Sequence, residues 1–181
     1  MTYQTAVASW RDFYGIAGPA AATLVGLLFV GLSLHLRAVV SRPEVRSLAR
    51  VTLTNFALLL LLALFLSIPQ DSASASTELL VAGSFSVLVS IPSLIAAARS
   101  RTRTLGLLQL TMRFGLSTVS YAGVLVAGAL VGSGEFSSAM YWLVAVTVAL
   151  FIVSLRNTWD LLVGLAPVTL AGDAKEPERQ V

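Results

Sequence analysis

Five long runs of apolar residues, nearly free of charge, constrain the fold of this chain more than any other feature. A segment of about 20 apolar residues is long enough to cross the hydrocarbon core of a bilayer as an α-helix. Only 12% of the 181 residues are charged, about half the usual fraction in soluble domains. The sequence therefore predicts an all-α bundle of five transmembrane helices, at about residues 13–37, 51–68, 77–98, 105–132 and 137–164.

Short polar segments delimit the predicted bundle. Residues 1–9 form a polar lead without Lys or Arg, which argues against a secretory signal peptide because such a signal begins with a basic region. The fifth helix is expected to stop at Pro167. Residues 168–181 are rich in polar residues and predict a disordered cytoplasmic tail. The sequence thus predicts one transmembrane domain over residues 1–167.

Residue types at two helix ends support these boundaries. Trp10, Phe13 and Tyr14 cluster at the start of the first predicted helix, as aromatic side chains do at a membrane–water interface. Ser76 and Thr77 precede the third predicted helix and are candidate N-caps, because their hydroxyls can accept hydrogen bonds from the first free N–H groups.

The basic residues predict the orientation in the membrane. Ten of the twelve fall at helix ends on one side of the predicted bundle. In the loops on the other side, the only charged residues are acidic. Because basic loops stay in the cytoplasm, the N-terminus is predicted outside and the C-terminus inside a cell (plasma) membrane. The ten residues are Arg37, Arg42, Arg46, Arg50, Arg99, Arg101, Arg103, Arg156, Lys175 and Arg179.

The same basic loops bear on partners. The first partner expected of such a chain is the lipid bilayer, and the Arg-rich cytoplasmic loops are candidates for contact with anionic lipid headgroups. Topology determination alone is the simpler explanation of these loops, and the pattern favours it. The net charge of +3 does not indicate nucleic-acid binding, because the basic residues are accounted for at helix ends.

Small residues at Gly18, Ala22 and Gly26 are spaced four apart on the first predicted helix. Such ridges let two transmembrane helices approach closely. One interpretation is a contact between copies of the chain, and the other is packing against helices of the same chain. The pattern favours the second interpretation, because small-residue ridges are common inside transmembrane bundles.

A hydroxyl face on the third predicted helix consists of Ser86, Ser90 and Ser93, beside Pro92. It is a candidate lining for a hydrated path or a small-solute site, since irregular backbone at membrane depth is tolerated beside a cavity. Alternatively, each hydroxyl bonds the carbonyl four residues earlier in its own helix or a neighbouring helix. The second alternative is favoured.

Arg113 lies about two turns inside the fourth predicted span, where charged groups are costly and often functional. The orientation puts it near the cytoplasmic surface, at the level of other polar residues. On its own helix the same face continues with Gln109, Ser117 and Ser120. The sequence predicts a polar layer made of His35, Arg113, Arg156, Asn157 and Asp160. Structural or headgroup contact is favoured over proton or ion handling.

Catalytic, cofactor-binding and metal-binding motifs do not emerge from the sequence. There is no Cys and one His, and a lone His with one Asp specifies no nucleophile and no acid–base pair. The chain is therefore not expected to be an enzyme, and no cofactor is expected.

Two segments carry a resemblance to other proteins. They are GPAAATLVGLLFVGLSLHL at 18–36, preceded by Trp10 and Phe13, and RNTWDLLVGL at 156–165. They resemble the first and last helices of a group of small polytopic integral membrane proteins of high-GC Gram-positive bacteria. The resemblance implies a polytopic membrane fold without an assigned activity, and it transfers no functional residue.

Two functions remain as expectations. The first is a non-enzymatic membrane protein that acts by helix-mediated association, with itself or with a membrane protein partner, in a regulatory or scaffold role. The second is a small oligomeric channel or transporter for an ion or small anion, with the serine face and Arg113 along its path.

Overall fold

The computed structural model of the chain describes residues 2–41, 43–99 and 115–173. It is almost wholly helical, with 92% helix and no strand among the described residues. The helices are α1 (Tyr3–Ala8), α2 (Arg11–Leu34), α3 (Leu36–Ser41), α4 (Pro43–Ser67), α5 (Ser72–Arg99), α6 (Leu116–Gly132) and α7 (Phe136–Asp173).

Four helices, α2, α4, α5 and α7, are long and apolar enough to cross a membrane. The apolar helix α6 is shorter, at 17 residues. Residues 105–114 of the predicted fourth span lie outside the described residues. The all-helical fold class is therefore confirmed for the described residues, with four candidate spans and one shorter apolar helix at the place of the predicted fourth span.

The helices α4, α5, α6 and α7 pack in a ring in which each contacts the next and α7 closes against α4. Outside this ring, α2 packs mainly on α4, with a smaller contact to α7. In the most apolar stretch of α4, 56% of the residues are buried, against 22% in α2. The central helix is therefore α4, and α2 keeps a broad face exposed at the periphery.

Two glycines allow α6 to approach both neighbours closely. A Cβ at Gly123 would lie 2.6 Å from Cγ2 of Val146 in α7, and one at Gly128 would lie 3.1 Å from Cγ of Leu80 in α5. The Trp142 indole N–H donates to the Gly123 carbonyl at 2.8 Å, and the Ser76 hydroxyl donates to the Gly128 carbonyl at 2.8 Å. Close packing and hydrogen bonds are the forces that hold helices together in lipid.

The first residues of the chain, predicted only as a polar lead over residues 1–9, form the helix α1 and pack against the bundle. The Tyr3 ring meets the Phe136 ring edge-on, with centroids 5.8 Å apart, and the Gln4 side chain donates to the Gln70 carbonyl. Burial raises the pKa of the Tyr3 hydroxyl above its ordinary value. The buried residues of α1 are Tyr3, Ala6 and Val7.

The boundary between the first and second predicted helices also differs. The helix α2 ends at Leu34, three residues earlier than predicted, because His35 leaves helical geometry with φ −117° and ψ 26°. The helix α4 begins at Pro43, eight residues earlier than predicted, and proline suits a first helical position. Arg46 and Arg50 therefore lie on α4 and not in a loop.

The start of α5 is set by Asp71. Its carboxylate accepts hydrogen bonds from the N–H groups of Ala73 and Ser74, at 3.0 and 3.1 Å. Bonds from the Ser74 hydroxyl and N–H hold the pKa of Asp71 below its ordinary value, so the cap is ionised at neutral pH. The predicted caps Ser76 and Thr77 are wrong, because both lie inside the helix and donate to carbonyls.

Pro92 and Pro167 do not end the long helices in which they lie. The helix α5 continues through Pro92 to Arg99, and α7 continues through Pro167 to Asp173. The predicted stop at Pro167 is therefore wrong, as is disorder over residues 168–173. Residues 174–181 lie outside the described residues.

Candidate functional site

The interior of the ring holds a cluster of neutral polar side chains centred on Asn55 of α4, which is fully buried. The Asn55 amide nitrogen donates to the Ser117 hydroxyl at 3.1 Å. Its carbonyl oxygen accepts from the Tyr121 hydroxyl at 2.5 Å. Because Ser117 and Tyr121 belong to α6, this single amide ties α4 to a helix on the other side of the ring.

Ser90 brings α5 into the same cluster, because its hydroxyl lies beside that of Tyr121. The Ser90 hydroxyl donates to the Ser86 carbonyl, and the Ser86 hydroxyl donates to the Ala82 carbonyl, each at 2.8 Å. Both serines are buried. Two members of the predicted hydroxyl face, Ser86 and Ser90, are therefore buried and bond their own helix, while the Ser93 side chain lies outside the described part of the chain.

The cluster offers hydrogen-bond donors and acceptors without a charge. Interhelical hydrogen bonds of this kind in a membrane protein contribute on average about 0.6 kcal/mol each, with a maximum near 1.7 kcal/mol. With Asn55 at its centre, the cluster joins three of the four ring helices. Its evident chemical role is to fix the register of those helices.

The predicted polar layer is only partly described, because Arg113 lies outside the described residues. Gly31 of α2 packs against Leu162 of α7, so His35 does lie at the same end of the bundle as the α7 members. The His35 Nδ1 donates to the Gly31 carbonyl, four residues earlier in the chain, at 3.0 Å. This bond is local and does not join His35 to the polar residues of α7. On α7 the exposure varies: it is high for Arg156, intermediate for Asp160 and 1% for Asn157.

The three residues of the predicted small-residue ridge do not all lie on the face of α2 that packs against α4. Gly18 is buried, and a Cβ there would lie 2.9 Å from the Ala63 Cβ of α4. Ala22 and Gly26 are exposed, and a Cβ at Gly26 would have no neighbour within 4 Å. At 3.6 residues per turn, a spacing of four drifts by about 80° over eight residues. The buried face instead follows Gly18, Ala21 and Leu28.

The inward face of α7 carries polar groups that have no hydrogen-bond partner within the described part of the chain. They are the Thr147 and Ser154 hydroxyls and the Asn157 amide nitrogen, in residues that are at most 1% exposed. The Tyr14 hydroxyl of α2 lies near the Thr147 hydroxyl, so these two groups can bond each other after a small shift of either side chain. Polar groups without a hydrogen-bond partner are costly in a bilayer. This row of polar groups along α7 is therefore suited to binding water or a polar solute.

Sequence reasoning missed Asn55, the centre of the buried cluster. The sequence does show Asn55 as a lone carboxamide inside the second apolar run. Polar residues inside a span are scarce and usually bond a neighbouring helix, so this residue could have been identified as a contact between helices. Ser117 and Ser120, predicted to share a face, are both buried. Their partners depend on which helices are neighbours, and the sequence does not show this.

Four helices that are long and apolar enough to cross a membrane indicate an α-helical membrane protein. Comparison of the chain with protein-family models, with curated proteins and with solved structures returned no match. The resemblance to small membrane proteins of high-GC Gram-positive bacteria therefore stays a prediction.

Proposed function

We propose that the chain is a non-enzymatic, multi-pass protein of a bacterial plasma membrane, with five spans, the N-terminus outside and the C-terminus inside. Four helices of sufficient length and the apolar helix α6 support the count. The orientation is supported by ten basic residues on one side of the predicted bundle through the positive-inside rule.

In this proposal the protein acts by helix-mediated association, with itself or with another membrane protein, through the outer face of α2. The carrying observation is that α2 is the least buried of the four spans and that small residues form one stripe of its outer face, beside larger exposed side chains such as Ile16 and Leu27. Gly15, Ala22 and Gly26 are exposed, and a Cβ at either glycine would meet nothing within 4 Å. A facing helix could therefore approach the α2 backbone closely, as small-residue surfaces allow.

Leucine at both Ala22 and Gly26 tests this surface without disturbing the fold. We expect the variant to lose most in-membrane crosslinking, at least fivefold, because the added side chains keep a partner helix away. The thermal midpoint of the purified protein should stay unchanged, since both positions are open. The matched control is Ala122→Leu, an exposed position on α6, which should crosslink like the wild type. A wild-type chain that neither self-associates nor captures a membrane protein would overturn the proposal.

A second candidate function, a small channel or transporter, is favoured by the unbonded polar groups on the inward face of α7. Thr147 and Asn157 are ten residues apart on that face, a rise of about 15 Å. A water file or a polar solute bonded along this length would satisfy these groups. In this alternative the path follows α7 and not the serine face of α5, whose described hydroxyls already bond their own helix.

Flux measurements in liposomes decide on this alternative. If the path follows α7, the double variant Thr147→Val and Asn157→Leu should reduce ion or small-anion flux at least tenfold, because it replaces the polar groups by apolar ones. Thr158→Val is the matched control, since that hydroxyl bonds the Ser154 carbonyl at 2.8 Å. Absence of flux for a panel of ions and small anions with the wild-type protein would eliminate the channel alternative.

A further inference from the structure

A groove runs along the outside of α4, between the C-terminal half of α2 and the middle of α5. Its volume is about 460 Å³, within the range of about 300–1,000 Å³ typical of small-molecule pockets. Leu32 of α2 and Phe85 of α5 contribute to its walls, and Leu53 and Leu61 line it along α4. Ala57 also lines the groove, and its short side chain leaves depth between the larger ones.

Two arginines lie at one end of this groove. Arg46 and Arg50 are one helical turn apart, and both line the groove and are exposed. Neither guanidinium forms an ion pair within the described residues. The hydroxyls in the lining, on Thr54 and Ser86, already donate to carbonyls of their own helices. The groove therefore presents two positive charges at one end and an effectively apolar surface beyond them.

The length of the groove matches one leaflet of a bilayer. From Arg50 to Leu61 is eleven residues, a rise of about 17 Å along α4. The hydrocarbon core is about 30 Å thick, so one leaflet supplies about 15 Å. With the arginines at headgroup level, the apolar part of the groove extends to the middle of the bilayer, which is the depth that one acyl chain occupies.

We propose that this groove is a binding site for one anionic phospholipid of the surrounding bilayer. An acyl chain lies along α4, and the phosphate is held by Arg46 and Arg50. The guanidinium group suits this role, because its planar fork can donate two hydrogen bonds to one phosphate. Basic pockets between transmembrane helices are known to hold lipid headgroups. The site is separate from the outer face of α2 and does not depend on the proposed association.

Native mass spectrometry of the full chain tests the proposal. The probe is an equimolar mixture of phosphatidylglycerol and phosphatidylethanolamine, presented to the delipidated protein in detergent. We expect the wild type to retain phosphatidylglycerol preferentially. Arg46→Ala together with Arg50→Ala should reduce this retention about thirtyfold, or roughly fivefold for each arginine. Arg156→Ala, which removes an exposed arginine of α7 that does not line the groove, should leave it unchanged.

A second variant tests the apolar part of the groove without changing charge. Ala57→Phe fills the space next to α4 and should weaken retention of both lipids, while the thermal midpoint stays near that of the wild type because Ala57 is exposed. Equal retention of the two lipids by the wild type would overturn the proposal, as would equal losses in the double arginine variant and in Arg156→Ala. Loss of oligomers in Ala57→Phe with unchanged lipid retention would assign the groove to a protein partner instead and would also overturn it.

Discussion

Replacement of Gly18 by leucine is expected to lower the free energy of unfolding by about 3 kcal/mol, the upper part of the usual cost of overpacking. The reason is local. Gly18 of α2 is buried where α2 contacts α4. Even the Cβ of a residue substituted there would lie 2.9 Å from the Ala63 Cβ. That methyl carbon belongs to an alanine, which has no flexible side chain that could move aside. The two helices would therefore have to separate.

The measurement is equilibrium unfolding in mixed micelles, with the thermal midpoint as a second readout. Gly26→Leu is the matched control, because it makes the same change on the same helix at a position with no neighbour within 4 Å. We expect Gly26→Leu to be at least as stable as the wild type, since leucine favours a helix more than glycine does. Equal stabilities of the two variants would contradict the packing of α2 on α4 at Gly18.

Replacement of Asn55 by leucine is expected to destabilise the protein by about 2–3 kcal/mol. The change removes the acceptor of the Tyr121 hydroxyl and the donor to Ser117. Each bond contributes up to about 1.7 kcal/mol in a membrane. In addition, the change leaves the buried phenol without that acceptor, and an unsatisfied buried group carries its own cost. The effect should appear as a lower midpoint of unfolding, because the register of α4 against α6 is weakened.

Thr54→Val is the control for this variant. Thr54 is the neighbour of Asn55, and its hydroxyl donates to the Arg50 carbonyl of its own helix at 3.0 Å, so we expect a change within about 0.5 kcal/mol. A double-mutant cycle with Tyr121→Phe isolates the bond between the two side chains. If Asn55→Leu and Thr54→Val were equally stable, the cluster would not hold the ring together.

The spans could be predicted from the sequence because bilayer thickness sets their length and the low charge marks them. The ends of the helices could not be predicted from the apolar runs, because a helix continues into water wherever its residues favour helix formation. The start of α4 shows the reason: Arg46 and Arg50 suggest a loop by charge, yet arginine is a good helix former. Asp71 caps α5, which begins five residues before the predicted start at 77, because the helix extends beyond its apolar part into the polar residues 72–76.

Part of the candidate site was within reach of sequence reasoning and part was not. Ser86, Ser90 and Ser117 were singled out by their spacing, and the structure places all three as buried residues. Asn55 pairs with residues 62 and 66 positions away, on a helix that is not its neighbour along the chain. Periodicity identifies the face of one helix, but it does not say which other helix that face meets.

The contact between Tyr3 and Phe136 has a consequence for the order of assembly during synthesis. Phe136 is made 133 residues after Tyr3, roughly 7–27 s later at ordinary rates of translation. Until then α1 lacks this aromatic contact, although the Gln4 side chain can already reach the Gln70 carbonyl and α2 can already occupy the bilayer. The final position of the N-terminal segment is therefore reached only after the start of α7 has been made.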